Sequence, residues 1–333
     1  MKIEYLDFND SRWKNFIKNF PMHNIFHSPE MAEVFYKSKG FEVFPLFATD
    51  ENEILACGFP ILVNTELPLS LRYTKRLIMF STPLYEKSIR GVEAVNLILE
   101  HSRKIAGKKS LFMEIRNSEN FNSSDNYILD IKCLKYIPYQ NYLIDLTRGK
   151  EQIWNSFSSY TRNHIRKSQK NNSIIKEIED SEIGTVVDLI ENLYRRKNVP
   201  FPNNSLLFNA FECLKSKGNV RVIAIEDDSG IFGARMTLNY GSIIFDWYAA
   251  ASLQYSKIYP NEALVWDTLE WGIKNKFKLF DFGGGAVRGK YYGPAKFKEK
   301  FKGELVEFGR YRYISNKLIY HLANKLYEYR IKN

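Results

Sequence analysis

The stretch Phe277–Phe308, FKLFDFGGGAVRGKYYGPAKFKEKFKGELVEF, joins a short apolar run to three glycines and then to a lysine-rich segment. Residues 279–282 predict a buried strand, and the helical spacing of apolar residues before them predicts an αβ unit. Gly283, Gly284 and Gly285 end that strand. Glycines permit positive φ and expose backbone N–H groups, which suits an anion or a developing oxyanion, although a tight turn explains the same triplet. We expect any chemistry of this chain to lie here.

The segment after the glycines is basic. Arg288 and Lys290 lie among glycines, in a loop able to close over a negatively charged group. Phe297 and Phe301 are one helical turn apart and can anchor the turn that carries Lys298. An ammonium held beside an anchored ring can stabilise a carbonyl oxygen that becomes negative during acyl transfer. A solvated basic face over two packed rings explains the same pattern.

Length and charge set wider bounds. The chain has 333 residues, enough for two domains, and its net charge of +10 admits phosphates, RNA or an anionic membrane as partners without requiring them. Cys57, Cys133 and Cys213 are far apart and form no CxxC pair, which predicts a cytoplasmic location, with peripheral contact at the inner face of the membrane left open. We find no signal-peptide pattern and no apolar run long enough for a membrane span.

Two parts of the chain repeat one order of elements. Phe44–Val63 and Arg221–Leu238 both have the pattern of a hairpin around an acidic turn. Asn96–Ile115 and Asp267–Phe282 both have the pattern of a helix followed by a strand. The recurrence predicts two copies of one α/β domain.

The predicted join follows residues 143–146, which resemble a last strand of the first copy. The predicted segments are a first domain at 1–147, a second domain with the active site at 148–311, and a C-terminal amphipathic helix at 312–333. That helix places Leu318 and Leu322 on one face among lysines. Docking against a domain and contact with anionic lipid both explain this pattern.

Further candidates lie in the second copy. Arg162, Arg166 and Lys170 follow one another at intervals of four on a predicted helix, where they would grip tRNA or another phosphate, or merely complement the helix dipole. Arg195 and Arg196 end the next helix. Trp247 and Tyr248 precede three alanines that would leave room for a ligand. Pro260-Asn261 begins a helix, which is either an anion site or an ordinary cap.

Several chemistries are excluded by the absence of their motifs. The sequence has no GxSxG elbow, HExxH pair, EF-hand loop or Walker loop. His23 and His27 are four apart, but no third ligand is near them, so we predict no metal site. Anion-binding turns and a restrained lysine suit acyl transfer to an amine better than hydrolysis.

The ordered set SYTRNHIRKSQKN, YAAAS, YPNEALVWDTLEWGIK, FDFGGG and FKEKFKGELVEF resembles the Fem-type aminoacyl transferases and their relatives in the GNAT acyltransferase superfamily. The resemblance covers about Tyr142–Phe308, and more loosely the amino-terminal half. It implies an α/β fold of two tandem GNAT-like domains, each a mixed twisted sheet flanked by helices. It also implies transfer of an amino acid from aminoacyl-tRNA to the stem-peptide amine of a peptidoglycan precursor.

The same resemblance implies roles for residues. The family's Phe-Lys pair falls on Phe297 and Lys298, and its phosphate-contacting arginine on Arg195 or Arg196. The family's tyrosine in the region of the fifth strand falls on Tyr248. It implies no tightly bound cofactor, with aminoacyl-tRNA or acyl-CoA as co-substrate and a lipid-linked or nucleotide-linked envelope precursor as acceptor. The first-domain lysine that some relatives use is not matched here, and the chain lacks their coiled-coil arm.

Three hypotheses follow. In the first, a neutral amine attacks a tRNA ester while Lys298 and the glycine amides hold the oxyanion. Its base is open among Asp281, Tyr248 and a substrate phosphate. The second changes the donor to acyl-CoA, with its pyrophosphate at Pro260-Asn261. The third is a non-catalytic RNA- or envelope-binding module on the same fold. The acceptor and the oligomeric state stay open.

Overall fold

The computed structural model describes residues 1–64, 75–119, 134–170, 172–290 and 292–332, with the side chains of 326–332 left out. Cys133 lies outside this set. Two compact units are present. The first contains residues 1–138, 198–209 and 308–333, and the second contains residues 139–197 and 210–307.

The elements before residue 139 are short strands and three α-helices among the described residues. They are β1 Lys2–Tyr5, α1 Ser11–Ile17, α2 Pro29–Lys37, β2 Phe41–Val43, β3 Leu46–Asp50, β4 Glu53–Gly58, β5 Pro60–Asn64, β6 Lys75–Met79, β7 Leu84–Tyr85, α3 Ile89–Lys109, β8 Phe112–Arg116 and β9 Lys135–Ile137.

The remaining elements follow in chain order. They are β10 Asn141–Asp145, α4 Gly149–Ser156, α5 Ser159–Gln169, β11 Ile174–Glu177, α6 Ile183–Arg196, α7 Ser205–Lys215, β12 Val220–Asp227, β13 Gly230–Tyr240, β14 Ile243–Ala251, α8 Pro260–Lys274, β15 Leu279–Asp281, α9 Gly293–Glu299, β16 Glu304–Val306, β17 Arg310–Ile314 and α10 Lys317–Lys332.

The first unit contains two sheets, ordered β1-β3-β4-β7 and β2-β5-β6-β8-β17-β9. Helix α3 packs on β3 and β4. It does so because Val95, Ile98 and Leu99 recur at helical spacing and lie in the core of this unit. Strands β6 and β8 are parallel and are joined through α3, which is the predicted helix-then-strand unit.

The second unit is built on one sheet, ordered β11-β12-β13-β14-β15-β10-β16. Its one parallel pair among the described strands is β14 with β15, joined through α8. Helices α6 and α8 pack on β13 and β14. Strand, helix and parallel strand thus occur in both units, which confirms the predicted α/β fold with two similar halves.

Two segments lie elsewhere than predicted. Strand β10, predicted to end the first domain, pairs with β15 and β16 in the second sheet. Residues 310–314, predicted to span the end of the second domain and the start of the C-terminal helix, form strand β17, which pairs with β8 and β9 in the first sheet. Local sequence identifies a strand but not its partner. The C-terminal helix begins only at Lys317, since Asn316 Oδ1 accepts the N–H of Ile319 at 3.1 Å as a cap.

No helix in the described part of the chain is long and apolar enough to cross a membrane.

Glu114 fixes β17 in the first sheet. It is 2% exposed and lies on β8, where Arg116 and Arg310 contact Oε1 at 3.1 Å and Arg312 binds Oε2. Burial by itself raises the pKa of Glu114, but Arg310, Arg116 and Arg312 outweigh it and hold that pKa at about 2. A carboxyl whose pKa is depressed in the fold stabilises the folded state above its unfolded pKa. That contribution is lost as the pH falls towards 2.

We predict that Glu114→Gln lowers the free energy of unfolding at neutral pH by about 3 kcal/mol, because it leaves three guanidinium groups without their buried carboxylate. Urea unfolding of wild type and variant measures this. Glu93→Gln on the exposed face of α3 is the control and should leave the urea midpoint unchanged. An equal midpoint for Glu114→Gln would contradict this account of the β8–β17 pairing.

Candidate active site

The site is built where two parallel strands part. Residues 243–245 of β14 pair with residues 279–281 of β15, and the pairing stops there. Strand β14 continues to Ala251 with one extra residue near Trp247, since Tyr248 lies opposite Met236 and Asp246 opposite Thr237. The chain after Asp281 turns towards β10 instead. Among the described strands, therefore, none pairs with that edge of β14 beyond Phe245, and the two strands diverge there.

The glycine turn, residues 283–285, follows shortly after β15. Gly283 and Gly284 have φ of 72° and 112°, values that favour glycine. A Cβ on Gly283 would lie 2.7 Å from the backbone oxygen of Asp246, so the turn also lies tightly against β14. The structure thus requires glycine here for backbone reasons.

The amides of the turn are already used. Gly283 N–H donates to Asp281 Oδ1 and Gly284 N–H to Asn141 Oδ1, each at 2.7 Å. Gly285 N–H donates to the carbonyl of Gln140, also at 2.7 Å. The prediction that these three amides bind an anion or an oxyanion is therefore wrong. The alternative of a tight turn accounts for the triplet.

The carbonyls of the turn hold Lys298. Its Nζ donates to the Phe282 carbonyl at 2.5 Å and to the Gly284 carbonyl at 2.6 Å. An ammonium has three N–H donors, so one remains for a ligand. The Lys298 ammonium is thus restrained by the backbone of the glycine turn, and its role in catalysis stays a prediction.

Phe297 and Phe301 anchor the turn that carries Lys298, as predicted. Phe301 is 1% exposed and anchors α9 against Phe157 and Phe282, with ring centroids 5.5 and 5.7 Å apart. Phe297 packs on Phe301 at 5.4 Å, and Lys300 lies over its face. Lys298 is thus held by carbonyls rather than by the ring of Phe297, while the two phenylalanines fix the helix that carries it.

Burial controls the charges at this site. It lowers the pKa of Lys298 from its ordinary value of 10.5, while the attraction of Asp246 and Asp281 opposes that shift. Burial also raises the pKa of Asp281, against hydrogen bonds from Asn141 and from the Gly283 amide. A lysine that loses its proton more readily and a carboxyl that keeps it longer therefore lie within electrostatic range of each other.

Sequence reasoning missed a buried ion pair beside them. Arg235 on β13 is 2% exposed and binds Oδ1 of Asp246 on β14, while its Nε has no hydrogen-bond partner among the residues that the structure describes. Both charges act on Lys298, Asp246 favourably and Arg235 unfavourably. The available signal was an arginine inside the apolar run IFGARMTL and an aspartate inside IIFDWY, since a charge in a buried strand needs a partner.

Other predicted ligand contacts lie at the rims of elements. Arg195 is exposed and paired with Glu191 at 2.8 Å, and Arg196 is exposed at the end of α6. Arg288 pairs with Glu307 at 3.1 Å, and Lys290 is exposed in the same loop. These cations lie at the surface of the unit.

The predicted aromatic pair is in contact. Trp247 and Tyr248 have ring centroids 4.9 Å apart, and the ring of Tyr194 on α6 lies 6.0 Å from Tyr248. Burial raises the pKa of Tyr194 to about 12, so its hydroxyl stays protonated and can donate.

The three cations predicted on α5 do not form one open stripe. Arg162 turns back to cap α4, donating to the Phe157 carbonyl at 2.5 Å. Arg166 lies over the Trp154 ring at 5.4 Å, and Lys170 is exposed at the helix end. Arg162 therefore has a local structural role, whereas Lys170 faces solvent.

The start of α8 presents a carboxylate. Glu262 lies in its first turn and is 5% exposed, and its Oε1 contacts Lys300 Nζ at 2.9 Å and His164 Nδ1 at 3.4 Å. The amides of Glu262 and Ala263 bond to the Tyr259 carbonyl. Pro260-Asn261 therefore begins a helix whose first turn already holds an anionic side chain.

Across the described residues, no group of three or more His, Cys, Asp or Glu side chains is arranged to hold a metal ion.

Part of the chain matches a known family model. Residues 156–299 match the family model described as Acetyltransferase (GNAT) domain. No protein of curated function matches the chain in sequence. The predicted recognition of the GNAT superfamily is confirmed.

Solved structures share the fold over nearly the whole chain. FemX is 14% identical with a TM-score of 0.70, covering 97% of this chain and 99% of that one. A tandem GNAT protein from the clavulanic acid biosynthesis pathway is 10% identical with a TM-score of 0.61, covering 95% and 98%. The C-terminal domain of a putative lysylphosphatidylglycerol synthetase from Agrobacterium fabrum is 13% identical with a TM-score of 0.55, covering 94% of each chain. At these identities the likeness establishes the tandem GNAT-like fold.

We predict that Gly283→Ala lowers the free energy of unfolding by about 1–3 kcal/mol, since it combines an unfavourable φ with a contact against β14. Gly289→Ala is the matched control, because Gly289 has a similar φ of 77° and nothing within 4 Å of its added Cβ. Urea unfolding compares the two. Equal losses would show that the contact with Asp246 does not constrain the turn.

Proposed function

We propose that this chain, which carries a GNAT acetyltransferase domain at residues 156–299 in a FemX-like tandem fold, is an aminoacyl transferase. In this proposal it moves an amino acid from aminoacyl-tRNA to an amine on a cell-envelope precursor such as a peptidoglycan stem peptide. The observation that carries it is the ammonium of Lys298, held on two carbonyls where β14 and β15 part, with one N–H still to donate.

The reaction follows from that geometry. A neutral acceptor amine attacks the ester carbonyl carbon, a C–N bond forms, and the carbonyl oxygen becomes negative. The third N–H of Lys298 stabilises this oxygen, which in a water-poor site is worth several kcal/mol of barrier. The C–O bond to the ribose then breaks, and the ribose oxygen takes a proton. Lys298 serves this role only while protonated, so its lowered pKa sets an alkaline limit below that of an ordinary lysine.

Asp281 is the best-supported proton acceptor among the earlier candidates. Its raised pKa brings it closer to neutral pH, where a general base is most effective. It lies within electrostatic range of Lys298, so the proton leaving the amine and the charge forming on oxygen would be handled side by side.

The donor assignment rests on charge. The place predicted for a coenzyme A pyrophosphate, the start of α8, holds the buried carboxylate of Glu262. A carboxylate there repels phosphate, although it is partly balanced by Lys300. This favours an aminoacyl ester over acyl-CoA, as does the name of the fold neighbour described as a putative lysylphosphatidylglycerol synthetase.

A second candidate keeps the fold and changes the donor. The description of the matching family model, acetyltransferase, favours an acyl-CoA-dependent N-acyltransferase. Thermal shift separates the two: coenzyme A should raise the melting temperature if it is the donor, and aminoacyl-tRNA should do so if the main proposal holds. Cytoplasmic location and peripheral membrane contact stay predictions.

We predict that Lys298→Met abolishes transfer while the variant stays folded, because it removes the oxyanion donor and keeps an apolar side chain of similar length. Loss of the two hydrogen bonds to the Phe282 and Gly284 carbonyls lowers the urea midpoint. The assay incubates the protein with mixed aminoacyl-tRNAs, acyl-CoAs and envelope precursors and records the mass gained by each acceptor. Lys296→Met, an exposed lysine of the same helix, is the control and should keep full activity.

Near-normal turnover by Lys298→Met would remove Lys298 from the mechanism. Binding of tRNA by wild type with no mass gain on any acceptor would favour the non-catalytic binding module.

A further inference from the structure

Three aromatic rings are in contact beside α5: Tyr160 is tilted by 56° against His164, and His164 is stacked on Tyr259. Tyr160 and His164 are one helical turn apart, with ring centroids separated by 3.9 Å. The ring of His164 lies parallel to that of Tyr259, with an interplanar angle of 9°. His164 is 5% exposed, whereas Tyr160 is 61% exposed. The exposed ring of Tyr160 packs against the buried ring of His164. It therefore loses little conformational entropy when a flat ligand lies on it.

The surface around these rings is cationic. Residues 158–176 contain five Lys or Arg side chains and no Asp or Glu, and residues 247–261 contain Lys257 and no acid. Lys167 lies 5.5 Å from the centre of the Tyr259 ring. Lys167, Lys170 and Lys257 are all exposed. Glu262, the acid that faces His164, is buried and paired with Lys300.

The rings of Tyr160, His164 and Tyr259 lie beside the segment that carries Lys298. Thr161 Oγ1, beside Tyr160 in the chain, donates to the Lys300 carbonyl at 3.4 Å. The Lys300 ammonium and His164 meet on the same oxygen of Glu262. Lys300 follows Lys298 by two residues, so the side chains of Thr161, His164, Glu262 and Lys300 join α5 to the segment that carries Lys298.

Exposed rings next to cations are the combination that binds single-stranded nucleic acid. A base stacks on the ring, and the cations contact the backbone phosphates. We propose that Tyr160 stacks a nucleobase at the single-stranded 3′ end of an RNA donor, with Lys167, Lys170 and Lys257 contacting its phosphates. This inference rests on the proposed function, because the ester reaching Lys298 is then carried by the RNA that lies on Tyr160.

Coenzyme A also carries an adenine that can stack on a ring. The RNA assignment rests on the cations, which extend from Lys167 to Lys170 along about one turn of α5 and across to Lys257. A ligand with several phosphates in a row uses all three.

The test measures RNA binding separately from catalysis. The probe is a fluorescent RNA hairpin ending in a single-stranded ACCA, titrated with protein at one fixed salt concentration. Tyr160→Ala should weaken binding about 10-fold or more, the effect of losing one stacked base, and Tyr160→Phe should bind as wild type does.

Tyr5→Ala is the matched control, because Tyr5 is an exposed tyrosine against a histidine, His101, in the first unit. It should leave RNA affinity unchanged.

Three outcomes would overturn the inference. These are unchanged affinity in Tyr160→Ala, equal binding of a hairpin without its single-stranded end, and weakening of coenzyme A binding but not of RNA binding by Tyr160→Ala. Failure of the proposed function is a separate result: RNA binding that depends on Tyr160, without transfer to any acceptor, sinks the function and leaves the inference standing.

Discussion

The ammonium of Lys298 on the carbonyls of Phe282 and Gly284 is the interaction on which the site depends. A turn can present its carbonyls to a cation only if its amides point elsewhere. Here they are satisfied by the side chains of Asp281 and Asn141 and by the Gln140 carbonyl. The glycines therefore supply acceptors for a lysine, and the lysine, not the turn, supplies the donor for a substrate oxygen.

A buried cation such as the Lys298 ammonium needs negative charge nearby. Desolvation disfavours the charged form of Lys298, whereas Asp246 and Asp281 favour it. Arg235 forms an ion pair with Asp246. Two cations and two carboxylates thus lie close together in a water-poor region, where each charge strongly affects the protonation of the others. Such an arrangement is preorganised, since no large rearrangement is needed when charge develops on the substrate.

Sequence reasoning found what depends on short-range pattern. Helical spacing placed Phe297 and Phe301 on one side of a turn, and the apolar run before the glycines predicted β15. It did not find what depends on orientation or on distant partners. Gly283 and Gly284 need positive φ whether the amides of the turn are open or bonded, so the sequence alone left both an anion site and a tight turn open. Strand β10 and the Arg235–Asp246 pair depend on neighbours far along the chain, which an isolated strand pattern does not encode.

A crystal structure with a phosphonate analogue of the tetrahedral intermediate tests the central claim most directly. The account predicts a phosphonyl oxygen about 2.7–3.1 Å from Lys298 Nζ, with that nitrogen still bonded to Phe282 and Gly284. A phosphonyl group bound by other donors, with Lys298 out of hydrogen-bond reach, would contradict it.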